Sequence, residues 1–172
     1  MQLKLGKTVP GKVARLETGF FKPAQRTTLL KPGNPARGSG DDMADFAQFH
    51  NQLKAMTQKV AAACSRCRPE NDSRIVICGC LCNALLADLA KAKNYAEEVA
   101  YEAVRAEQDA RNDGRTEHAN VAAAARLLAY VWMDVATLGT DNLTPASKML
   151  EMAIDHLQLG EEELARESCR IR

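Results

Sequence analysis

The stretch SRIVICGCLCNALLADLAKAKNYAEEVAYEAVRAEQDARN, residues 73–112, decides the fold. Within it Ile75, Cys78, Cys82, Leu85, Leu89, Ala92, Ala96, Val99, Ala103, Ala106 and Ala110 recur at steps of three and four. That is the spacing of one helical face. Read as continuous, the segment predicts a helix about 60 Å long at 1.5 Å per residue. Asn94 and Glu97 form an N-x-x-E pattern that offers an alternative break. The stripe keeps its phase through Asn94, so continuity is the expectation.

The stripe changes character along its length. It is wide and bulky around Leu81, Leu85, Leu86 and Leu89, then narrow at Ala92, Ala96, Val99, Ala103 and Ala106. Small residues on a seam let a second backbone approach closely. These five positions are therefore the expected interaction seam, facing another helix or another subunit.

Working outward, Phe46, Phe49, Leu53, Met56, Val60, Ala63 and Cys67 keep the same period and predict a first helix over residues 43–67, stopped by Arg68-Pro69. Asn112-Asp113-Gly114 signals a turn, and Thr116 suits a cap for a third helix along Val121, Ala125, Leu128, Trp132 and Val135. Thr144-Pro145 starts a fourth, with Met149, Leu150, Ala153 and Leu157 on its face and Gly160 as a candidate kink. The prediction is an all-α bundle of about four helices with a long second helix.

Composition agrees. Of 172 residues, 46% are hydrophobic and only 5% aromatic, which favours close-packed helices over a sheet sandwich. The formal charge of +1 argues against a uniformly basic nucleic-acid binder. That near-neutrality conceals a division. Residues 1–40 carry eight basic side chains against Glu17 alone, a balance of +7, and the remainder carries −6. The same forty positions hold Pro10, Pro23, Pro32 and Pro35 and six of the ten glycines. Residues 1–42 therefore read as a basic, extended or disordered tail ahead of a helical domain over 43–172. Met43-Ala44-Asp45 stands where the periodicity begins, so an upstream extension without a task is the plainer account of the tail. No window is long and apolar enough to span a membrane and no secretory signal is visible, so the expectation is a cytoplasmic protein without membrane contact.

Six cysteines are the sharpest chemical feature. In a helical hairpin turning near residues 68–72, Cys64, Cys67, Cys78 and Cys82 converge, which suits zinc or a thiol sensor. Cys80 is two residues from each neighbour and points elsewhere. The spacing lacks two well-formed Cys-x-x-Cys pairs, and stripe cysteines also serve as small buried apolar residues. His50, His118 and His156 are too scattered for a hydrolase centre, although His118 falls on the extrapolated stripe of the third helix. Neither Glu151 with His156 nor Glu117 with His118 has the Glu-x-x-His spacing of a di-iron bundle. Glu97, Glu98, Glu102, Glu107 and Asp109 read as a solvated face, with Glu107 and Arg111 an i,i+4 pair. Phosphate-binding loops, the G-x-S-x-G elbow and the His-Glu-x-x-His motif are missing from the sequence.

The leading expectation is a non-enzymatic, self-associating helical interaction protein that binds helices through its alanine seam and needs no cofactor. A thiol or zinc sensor on the four cysteines is the second reading. The third is nucleic-acid association through tail cations Lys12, Arg15, Lys22, Arg26, Lys31 and Arg37.

Overall fold

The computed structural model describes residues 39–67, 73–138 and 143–170. Among these residues the chain is all-α. Its helices are α1 (Ser39–Arg66), α2 (Ser73–Ala87), α3 (Ala92–Asn112), α4 (Thr116–Leu138) and α5 (Leu143–Arg170). The expected tail contacts Lys12, Arg15, Lys22, Arg26, Lys31 and Arg37 lie outside the described residues. α1 starts four residues ahead of Met43.

The long second helix does not form. It breaks at Asp88, six residues before Asn94, and the segments before and after the break are bent by 116°. Asp88 leaves the helical region at φ −135°, ψ 82°, and one 3-10 turn over Leu89–Lys91 leads into α3. The Asp88 amide makes the last helical bond to the Ala84 carbonyl at 3.0 Å, and the Asp88 carbonyl accepts from Lys91 N–H at 3.1 Å. An unbroken helix would carry the alanine half away from α2, which packs against α3 in the structure. Folding back sets α3 alongside α2 and α4, and the alanine seam is buried there.

The turn after α3 follows from its sequence. Gly114 takes φ +71°, a left-handed conformation that only glycine adopts without strain. Its amide bonds to the Arg111 carbonyl at 3.2 Å, and the Arg115 amide bonds to Ala110 at 2.8 Å. These two bonds make a Schellman stop.

α4 is the central helix and touches α1, α2, α3 and α5. One face was expected to be buried. In the structure Val121, Ala122, Ala123, Ala124, Ala125, Leu128, Ala129 and Val131 are all buried, so the helix is enclosed on several sides. Alanine makes that possible by keeping the neighbouring helices close. Leu53 and Val60 of α1, Ile75 and Leu85 of α2, and Val99 of α3 complete the core.

Glycine sets two crossings. A Cβ on Gly160 would come within 2.9 Å of Val121 Cγ2 and 3.1 Å of the Glu117 carbonyl. Gly160 is therefore the contact point of α5 on α4 rather than a kink, and α5 continues through it to Arg170. Gly79 does the same for α2 against α1, 2.9 Å from Cys64 Cβ and 3.2 Å from the Ala61 carbonyl.

Candidate functional site

α1 and α2 bring Cys64, Cys67, Cys78 and Cys82 into the core, all of them buried, while Cys80 and Cys169 are exposed. Burial raises the Cys64 thiol well above its ordinary range, and the neighbouring Cys82, Cys78 and Cys67 push it the same way. Burial takes Cys82 up to about 12. Thiols held in this form are neutral, whereas a nucleophile or metal ligand is a thiolate. Cys67 Sγ donates to the Ala63 carbonyl at 3.6 Å, a weak bond within its own helix. Among the described residues no group of three or more His, Cys, Asp or Glu side chains is arranged to hold a metal ion. At Cys64 the two helices are in close contact, because a Cβ on Gly79 would come within 2.9 Å of Cys64 Cβ.

The expected interaction seam is placed just as clearly. Ala92, Ala96, Val99, Ala103 and Ala106 are at most 6% exposed, covered by this chain's own helices. A second subunit must therefore use another surface.

The histidines occupy three separate places. His118 is buried on α4, with its Nδ1 2.9 Å from an Arg115 guanidinium nitrogen. His156 Nδ1 lies 3.2 Å from Asn120 Oδ1, joining α5 to α4. His50 stacks on Phe46 at 5.9 Å and meets the Trp132 ring edge-on at 5.4 Å.

One acid of the expected solvated face is buried. Glu107 accepts from Arg126 Nε of α4 at 2.8 Å and from Arg111 at 2.6 Å, with its side chain 12% exposed. The i,i+4 pair was legible in the sequence. The partner across the interface was not, because Arg126 sits in an alanine run that shows no charge pattern to match.

Open grooves lie on the surface of the described residues, two of them with apolar lining from neighbouring helices. Between α1 and α5 lies one of about 510 Å³. Met56, Leu150 and Leu157 form its buried floor, half-exposed Ile154 stands at the edge, and Lys59 and Glu161 supply charges of opposite sign. At that end Arg66 of α1 pairs with Glu161 of α5. The second groove, of about 660 Å³, runs between α2 and α3 over Ile77, Leu81 and Tyr101, with Glu97, Glu98 and Glu102 beside them. The groove residues escape a reading of single-helix stripes. Their one sequence signal is an apolar side chain off the stripe, as at Ile77, Tyr101 and Ile154.

Compared with protein-family models, curated proteins and solved structures, the chain has no match in any of the three. Among the described residues no single helix is long and apolar enough to cross a membrane.

Proposed function

We propose that this chain is a helical interaction protein that self-associates through the α1/α5 groove. The observation that carries this reading is the exposed Ile154 beside an apolar floor of Met56, Leu150 and Leu157. A two-fold pairing sets the same patch against itself, so each Ile154 enters the partner's groove. The mixed rim suits such symmetry, because Lys59 and the Arg66–Glu161 pair put both signs of charge on the same self-facing patch. Ile154 is already partly buried, at 46% exposed, and completing its burial contributes about half of the 1.5–3 kcal/mol of a full burial per side, appropriate to a reversible dimer and not to a permanent one.

Sedimentation velocity across a concentration series tests the reading. The expected result is a rise in mass from monomer to dimer in the micromolar range that Ile154→Glu abolishes. Ile154 is 46% exposed, so this replacement leaves the monomer folded. A wild-type protein that stays monomeric, or a dimer untouched by Ile154→Glu, overturns it.

A further inference from the structure

The second groove differs from the first in charge and in ownership of its residues, and it supports a separate inference. Ile77 on α2 and Tyr101 and Val104 on α3 are 44%, 54% and 46% exposed. None belongs to the core stripe of its helix. Together with half-buried Leu81, Ile77 and Tyr101 line a trough along the α2/α3 hairpin. The charge beside this trough is acidic and unevenly neutralised. Arg74 pairs with Glu102 at 2.9 Å and with Asp109 at 3.4 Å at one end. Further along, Glu97 and Glu98 make no ion pair among the described residues. The Arg105 guanidinium lies 4.0 Å from the centre of the Tyr101 ring, so the ring already takes a cation on one face.

The geometry points to the α2/α3 face as a docking surface for a basic amphipathic helix of a partner protein. An apolar trough takes the apolar stripe of such a helix, as in helix-in-groove recognition. Its flanking Lys or Arg side chains then meet Glu97 and Glu98, which pair with no cation among the described residues. Nucleic acid is disfavoured on the same face, since phosphates would confront these two carboxylates, Glu97 and Glu98, at close range. The α1/α5 groove offers no comparable preference, because its rim carries both signs. Binding to one face is therefore independent of self-association through the other.

The test uses the full chain and a labelled 18-residue Leu/Lys peptide patterned as an amphipathic helix, followed by fluorescence anisotropy. A peptide of identical composition with the pattern scrambled and an acidic Leu/Glu counterpart serve as controls. Saturable binding of the patterned basic peptide is expected, weakened at least about tenfold by the double reversal Glu97→Lys, Glu98→Lys. Ile77→Ser should weaken it by at least about threefold, the loss of one half-exposed apolar contact. Both variants alter exposed or half-exposed groups, and unchanged Trp132 fluorescence and thermal midpoint certify that they fold. Ile154→Glu should leave peptide binding intact, which separates failure of this proposal from failure of the dimer. Equal binding of the scrambled peptide, no binding, or no effect of either groove variant overturns it.

Discussion

Trp132 on α4 donates its indole N–H to the hydroxyl of Thr57 on α1 across 2.9 Å, and that hydroxyl donates in turn to the Leu53 carbonyl at 2.7 Å. Thr57 is fully buried and Trp132 nearly so. The relay ties the central helix to α1 at a depth where water cannot substitute. Thr57→Val keeps the shape and leaves the indole N–H without its acceptor. It should cost about 1–3 kcal/mol, the penalty of a buried unsatisfied donor. Thr57→Ser keeps the relay and loses only a methyl, so its loss should be smaller. Trp132 is the chain's single tryptophan, and urea unfolding followed by its fluorescence reads both variants directly.

Gly160 tests the α4/α5 crossing. In an isolated helix, glycine to alanine gains about 1 kcal/mol. Here the new Cβ meets Val121 Cγ2, which can rotate, and the Glu117 carbonyl, which cannot. Overpacking of this kind costs about 1–3 kcal/mol, so Gly160→Ala should lower the thermal midpoint rather than raise it. Glu162→Ala, two residues on and exposed, supplies the comparison and should leave the midpoint nearly unchanged.

The contrast between these positions shows what was legible in the sequence. Period-3.6 spacing placed the core faces of α1, α3 and α5, and local chemistry marked the turn at Gly114 and the start near Thr144-Pro145. Those signals are short-range, so a sequence carries them intact. The break at Asp88 was hidden because the 3-10 turn returns the chain to the same stripe at Ala92; phase alone cannot tell a straight helix from a hairpin. Asp88 itself was the overlooked signal, a polar residue within an apolar run, although its carboxylate pairs with Lys91 at 3.1 Å and makes no capping bond. The role of Gly160, the burial of Glu107 and both grooves depend on which helix lies opposite. The cysteines were expected to converge, and they do, but their chemistry is set by a burial that spacing does not reveal.

That burial makes the thiols countable. Cys80 and Cys169 are exposed, and the other four are buried. A thiol reagent at pH 8 should therefore modify two cysteines rapidly in the native protein and the remaining four only on unfolding. With its pKa near 12, Cys82 holds only about one part in ten thousand as thiolate at that pH, in addition to being shielded. Cys80→Ser combined with Cys169→Ser should remove the fast phase entirely. Rapid reaction of more than two thiols would show that the α1/α2 crossing opens readily.

His50 gives the fold a pH dependence. Packed between Phe46 and Trp132, its imidazole is held below the ordinary value by partial burial and then by the nearby Lys54 charge. The unfolded chain, with an imidazole near pKa 6.5, binds this proton more readily than the folded one. Above about pH 6.5 both forms are neutral at this site and its contribution to stability is complete. As pH falls below that point the unfolded state gains the proton first, so stability declines until the folded-state pKa is passed. Urea midpoints taken from pH 8 to pH 5 should decline more steeply for the wild type than for His50→Gln. The difference between the two curves isolates this histidine from the carboxylates, which titrate in both proteins. Parallel curves would mean that His50 titrates alike in the folded and unfolded chains, and that its stack against Trp132 tolerates the charge.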